Sequence, residues 1–309
     1  MLNTSYNNYT NIQLSIDKEN IAITNLPAGS SFDEIMLFLI DDFGNEYNKQ
    51  SFRRREKISY TFPNLKAGMY YFQMYRIAKK SFLQSQYWSY LHSQDIPILI
   101  KNDRSLKFKI SPVYNQNRSI FNKFRTDKAF LSDCLKPTPQ SQSDNAKIQT
   151  LARNITQDNA LEYHKIRSIH NWIADNIYYD MDAFYSKNYQ NIDTSALGTL
   201  QSKRSVCQGY SDLSVALLRA IGIPAIGLSC FALGISTEKK WTTQILNSSE
   251  TNHRITMVYT QNRWLIMDIT WDSDNEYKNG VFGNKSGMGR TYKYFDVTIP
   301  FLSFSHRLE

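Results

Sequence analysis

Three residues in the C-terminal half are of types that together perform nucleophilic chemistry: Cys207, His253 and Asp268. A thiol is a weak nucleophile until it loses its proton. An imidazole can hold that proton, and a carboxylate can fix the imidazole tautomer and favour its charged form. Cys207 opens a stretch with Leu213, Ala216, Leu217 and Ala220 at helical spacing and a stop at Gly222 before Pro224. At a helix start the thiol feels the positive end of the peptide dipoles, which lowers its pKa below the free value of about 8.5. A lone cysteine in an apolar stretch is otherwise an ordinary buried residue, so the histidine and the aspartate decide between the two readings.

A hairpin would bring those two together. If Tyr259 to Trp264 turns with Gln261-Asn262 at its tip, Thr260 faces Arg263, Ile255 faces Asp268 and His253 faces Thr270. His253 and Asp268 then become diagonal neighbours on one sheet face, within side-chain reach. Their companions there, Ile255, Met257, Tyr259, Trp264 and Ile266, are expected to pack on a helix, and an aspartate in such company needs a partner. Cys207 would attack an amide carbonyl while His253 holds the thiol proton and later passes it to the leaving amine. The backbone N–H of Cys207 is a ready oxyanion donor. Tyr179, or its neighbour Tyr178, is the candidate for the second donor, the alternative being that both simply pack.

The elements around these residues divide the chain. Its 309 residues are about twice a typical domain of roughly 150. From Asn11 to Ile110, short apolar runs such as Ile35 to Ile40, Ile58 to Phe62 and Met69 to Ile77 alternate with turn residues at Asn25 to Gly29, Asp41 to Asn45 and Lys66 to Gly68, the pattern of an all-β sandwich. The 20 Tyr and 17 Phe suit strands. A polar linker with Lys136-Pro137-Thr138-Pro139 follows. Thereafter Ser143 or Asp144 can cap a helix to about Ile155, and a second helix spans about Asp158 to Ile177 with Ile166, Ile169, Trp172 and Ile173 on one face. Strands are expected at Ile223 to Phe231, Arg254 to Thr260 and Arg263 to Thr270. The expected organisation is a β-sandwich at 1–125, a linker at 126–145 and an α+β domain at 146–309.

A formal charge of +8 and a pI near 9.2 favour an anionic partner such as a cell-wall or surface polymer. The basic residues are scattered apart from Arg53-Arg54-Arg55, Lys79-Lys80 and Lys239-Lys240, and no nucleic-acid reader motif accompanies them, so nucleic acid is not an expected partner. Cys134, Cys207 and Cys230 have neither disulfide-framework nor zinc spacing, and no metal or cofactor is expected. No run of 18 apolar residues is present to span a membrane. Met1 to Thr10 lacks the apolar core of a signal peptide, which fits a cytosolic chain or one trimmed of its leader.

Several segments resemble bacterial transglutaminase-like domains. They are Val206-Cys207-Gln208-Gly209-Tyr210-Ser211, Leu217 to Ala225 with Gly222-Ile223-Pro224, His253, and Trp264 with Asp268-Ile269-Thr270-Trp271-Asp272. Ile169 to Ile177 with Tyr179-Asp180 is similar to the family's leading helix, and Tyr294-Phe295-Asp296 followed by His306 to its closing segment. The resemblance implies a papain-like fold, a helix carrying the cysteine packed on an antiparallel sheet, and thiol chemistry on protein or peptide amides through a thioester. Hydrolysis and transfer to an amine share that intermediate and are not separated by these residues. Where the family carries His-Ala-Trp-Asn, this chain reads His253-Arg254-Ile255-Thr256, and Ser205 replaces a glycine. The alternative reading is therefore a transglutaminase-like scaffold without turnover, serving as a surface binding or adhesion protein. Leu65 to Phe72 resembles the strand entry of immunoglobulin-like and fibronectin-like modules. Together these resemblances imply a secreted or cell-surface bacterial protein, with a cytoplasmic one as the alternative.

Overall fold

A computed structural model of the chain describes residues 5–7, 13–17, 20–24, 34–41, 45–53, 58–78, 87–90, 96–234 and 240–309. The turns expected at 25–29 and 42–44 lie outside the described residues, as do Arg54, Arg55, Lys79, Lys80 and Lys239. The chain divides into two compact units, Met1–Asn122 with Val297–Ser305 and Lys123–Asp296 with His306–Glu309. Among the described residues no helix is long and apolar enough to cross a membrane.

The first unit is β-rich. One antiparallel sheet runs in the order Ser5–Asn7, Gln13–Asp17, Asn20–Thr24, Ile58–Thr61. A second runs Leu106–Phe108, Ile96–Ile100, Gly68–Ala78, Glu34–Ile40, Glu46–Arg53, and Tyr87–Tyr90 also pairs with its long central strand. Strand alternation decides which side chains are covered. Ile58 and Tyr60 are buried while Ser59 and Thr61 are exposed. Tyr60 on the first sheet meets Phe72 on the second edge-on at 5.1 Å, and its hydroxyl donates to the Asn48 carbonyl at 3.0 Å. A buried phenol needs such an acceptor.

The second unit is mixed α+β. Its first core helix, Ala146–Thr156, is capped by Asn145, whose side chain accepts the Lys147 N–H; Asn145, rather than Ser143 or Asp144, is the last extended residue. The next helix begins at Glu162 rather than Asp158, because Leu161 is still extended; it buries Ile166, Ile169, His170 and Ile173. The helix Cys207–Ala220 is apolar or small nearly all round and buried along its length, as a central helix must be. It stops at Gly222, which at φ +80° occupies the left-handed region, with Gly222 N–H donating to Arg219 O and Ile223 N–H to Leu218 O, the paired bonds of a Schellman motif. At the other end Gly209 allows close approach, since a Cβ there would collide with Ser205 Oγ and Thr199 Oγ1.

This helix packs on a four-stranded antiparallel sheet ordered Arg263–Met267, His253–Thr260, Ala225–Ala232, His306–Leu308. A smaller sheet orders Arg204–Ser205, Tyr178–Asp180, Asn275–Lys278, Val281–Asn284. The hairpin register is the expected one, Thr260 facing Arg263 and Thr256 facing Met267. Gln261 and Asn262 have φ of 51° and 61°, the left-handed pair of a type I′ turn.

Two details differ from expectation. The strand ends at Met267, and Ile269–Asp272 is a short helix, so His253 has no Thr270 opposite it. The hairpin residues that join the helical core are Val258, Leu265 and Met267, the alternate set to Ile255, Met257 and Ile266. The face holding Trp264 is covered instead by Phe124 and Phe130, whose rings lie 6.0 and 6.2 Å from it.

Beside the turn, Arg263 makes a bidentate pair with Asp296, both bonds 2.7 Å and both side chains buried. Removing one member of such a pair strands a buried charge. Arg263→Met is expected to cost about 3–5 kcal/mol in urea denaturation. The double change with Asp296→Asn should cost less, Asn being the residue that tolerates the φ of 56° at that position.

Candidate active site

Cys207 is the first residue of its helix and follows Val206, which is extended. The opening N–H groups of a helix have no intrahelical partner, so the thiol sits where backbone donors and the positive dipole end converge. His253 is the first residue of its strand and pairs with Cys230 on the neighbouring strand. Its Nε2 lies 2.8 Å from Asp268 Oδ2. With that nitrogen engaged, Nδ1 is the ring atom left to serve the Cys207 thiol, whose ionisation His253 favours by its charge and hydrogen-bonding capacity. The Arg254 backbone N–H also favours the ionised sulfur.

Asp268 leaves the sheet and caps the short helix. Its Oδ1 accepts the Trp271 N–H at 3.2 Å, and its own N–H donates to Tyr294 O at 3.0 Å. The capping turn, not strand pairing, therefore aims the carboxylate at His253. Oδ2 receives a second imidazole, His306 Nε2 at 3.2 Å, and His306 is fully buried. The Trp271 ring packs 5.8 Å from His253 and 4.5 Å from His306.

These contacts set the charges. Burial opposes ionisation of Cys207, but the positive charge and hydrogen bond of His253, with the Arg254 N–H, bring its pKa below the ordinary thiol value. Burial likewise opposes a charged His253, yet Asp268 and the Cys207 thiolate raise it to about 10. Asp268 is held well below the usual carboxylate range: burial pushes it up, and His253 more than offsets this. Burial pushes His306 down despite its bond to Asp268. The directions agree: His253 favours the thiolate of Cys207, Asp268 favours the imidazolium of His253, and burial favours the neutral form of His306.

Of the two tyrosines, Tyr179 is the one close to this chemistry. Its strand position pairs with Ser205, its ring tilts against Tyr210 at 6.5 Å, and burial and then the Cys207 charge push its phenol up, so it remains a neutral donor. Tyr178 points the other way, onto Phe282 at 4.9 Å. All three cysteines are free thiols.

Two features were not foreseen in the sequence. One is the contact of His306 with Asp268. The chain has five histidines and two of them reach one carboxylate, but this proximity arises from the strand His306–Leu308 pairing with Ala225–Ala232, which leaves no local pattern. The other is a second buried pair, His170 Nε2 to Asp272 Oδ2 at 3.0 Å. Asp272 also accepts Thr291 Oγ1–H at 2.6 Å and the Tyr294 N–H at 3.0 Å, so it anchors the segment whose Tyr294 carbonyl holds the backbone of Asp268. The donor atoms of His253, Asp268 and His306 all lie within 4.8 Å of one another, the spread a metal site needs; here they are directed at each other as hydrogen bonds.

Residues 149–269 match the model of the Transglutaminase-like superfamily, and this part of the second unit is a transglutaminase-like core. The kyphoscoliosis peptidases of Mus musculus and Homo sapiens are each 25% identical to this chain over 126 residues, 41% of this chain and 18% of theirs. The matched segment thus spans less than a fifth of those relatives. Among solved structures, a candidate cysteine protease from Cytophaga hutchinsonii is 19% identical with a TM-score of 0.37, covering 87% of this chain and 79% of its own. Red sea bream transglutaminase is 12% identical with a TM-score of 0.33, covering 94% and 54%.

The ion pair predicts the reactivity of the thiol. A free cysteine alkylates roughly tenfold faster per pH unit up to about 8.5. Cys207 is shifted to the acid side and His253 keeps its proton to about 10, so alkylation by iodoacetamide should be nearly flat from neutral pH upward. In His253→Ala the opposition of burial is no longer offset, and the rate at neutral pH should fall on the order of a hundredfold.

Proposed function

We propose that the second unit is a cysteine-dependent enzyme acting on protein or peptide amide bonds through a thioester. The observation that carries this reading is the 2.8 Å bond from His253 Nε2 to buried Asp268, with the Cys207 thiol at a helix start close enough to His253 for the two to shift each other's ionisation. Three such groups in one line separate and hold charge in the way nucleophilic acyl transfer needs.

The Cys207 thiolate adds to the amide carbonyl carbon, forming a C–S bond as the carbonyl electron pair moves onto oxygen. Backbone N–H groups at the helix start, with the neutral Tyr179 hydroxyl as the proposed second donor, receive that oxyanion. The His253 imidazolium gives its proton to the amine nitrogen as the C–N bond breaks, leaving a thioester and a neutral imidazole. An incoming water or primary amine then loses a proton to His253 as it attacks, and the thiolate leaves. Asp268 stays ionised throughout and stabilises the imidazolium each time it forms. Polypeptide is the substrate class this chemistry serves; water as acceptor gives a peptidase and an amine gives a transglutaminase-type acyltransferase.

The test is mass spectrometry of protein substrates incubated with the chain and a small primary amine. Shorter fragments, amine adducts or deamidated side chains, absent with Cys207→Ala, are the expected products. No Cys207-dependent product from any substrate would favour the scaffold reading instead. Asp268→Asn should retain the fold and lose about 10²–10⁴ in kcat/KM.

A further inference from the structure

Asp268 carries more hydrogen bonding than orientation of His253 requires. One oxygen, Oδ1, is taken by the Trp271 N–H, and the other, Oδ2, by two imidazoles from two different strands. His253 and His306 flank the strand Ala225–Ala232, facing Cys230 and Ala232 from opposite sides, and their rings lie 5.5 Å apart. His306 is fully buried, with Trp271 at 4.5 Å and Tyr294 at 5.5 Å. Packing alone among aromatic rings would be met by an apolar side chain, whereas a buried imidazole needs an acceptor for its N–H, and the acceptor here is the site carboxylate.

The geometry has a consequence for the charge. With only the Trp271 N–H and His253 as partners, the carboxylate could swing about its terminal torsion, which is broad for aspartate. A third donor to the carboxylate, the second on Oδ2, pins its plane. Among the described residues, Asp268 and His253 are charged groups whose fields reach His306, and burial disfavours its protonation, so it donates a hydrogen bond without adding a second positive charge beside the imidazolium. An arginine or lysine in its place would compete with His253 for the same carboxylate.

We propose that His306 is a positioning residue for the Cys207 site: its imidazole, donating from Nε2 to Asp268 Oδ2, holds the carboxylate in the orientation that keeps His253 aimed at the thiol and charged. The catalytic meaning rests on the function proposed above, but thiolate reactivity reads the arrangement without any substrate.

The experiment is the pH profile of Cys207 alkylation by iodoacetamide in the full chain, its His306→Leu and His306→Gln variants, and His253→Ala. His306→Leu should move the acid limb up by about one pH unit, toward the free-thiol value, and His306→Gln, which keeps an N–H donor, should restore most of the shift. A folded His306→Leu with an unchanged profile, or a Gln variant no better than Leu, overturns the proposal. If His253→Ala also leaves the profile unchanged, it is the reading of the site that fails, and not this inference alone. Should the Leu variant not fold, nitrogen-15 NMR of the unmodified chain decides. The expected state of His306 at neutral pH is the neutral Nε2–H tautomer, and an imidazolium or an Nδ1–H tautomer contradicts it. A wild-type profile abolished by a metal chelator would make the same three residues a metal site and overturn the proposal as well.

Discussion

An ionised carboxylate taken out of water costs several kcal/mol unless hydrogen bonds and an opposite charge replace what solvent supplied. Asp268 is 1% exposed and meets that cost with a backbone N–H, two imidazole N–H groups and the charge of His253. Its ionisation is what makes a charged, buried His253 tolerable, and a charged His253 favours the thiolate of half-buried Cys207. Each group would be neutral if buried alone. The site is a coupled set, and its protonation states belong to the set rather than to any one member.

Much of the second unit exists to hold that carboxylate still. The central helix ends in a Schellman motif that turns the chain into the strand Ala225–Ala232, the neighbour of His253. The short helix after Asp268 is capped at its start by Asp268 and carries Asp272 at its end, where the His170 pair and the Tyr294 N–H fix the segment that returns to Asp268. Two buried acids four residues apart thus share the work: Asp272 anchors the frame and Asp268 faces the chemistry. Arg263 and Asp296 fasten the far end of the same hairpin.

What the sequence made legible was local. The helix from Cys207 to Ala220 follows from spacing and from Gly222-Ile223-Pro224, and the Gln261-Asn262 turn fixes the register through Thr260 and Arg263. Both depend on backbone preferences that adjacent residues declare. Alternation points to Ile255, Met257 and Ile266 as the helix face, whereas Val258, Leu265 and Met267 join the core, because both sets are apolar and alternation cannot choose between two buried faces. Ile269 and Thr270 favour the strand expected to run to Thr270, yet the capping bond of Asp268 to the Trp271 N–H wins over propensity. The contact of His306 with Asp268 depends on a strand pairing distant in sequence, and no local signal encodes it.

On the function proposed above, ionised Asp268 favours deprotonated Cys207 through His253. Ultraviolet titration of the thiolate, taken as the difference between the chain and its Cys207→Ser variant, tests it most directly when repeated in the Asp268→Asn background. Thiolate already present at neutral pH is expected in the first case and a protonated thiol in the second. Equal thiolate in both, or thiolate in neither until pH exceeds about 8.5, would contradict it.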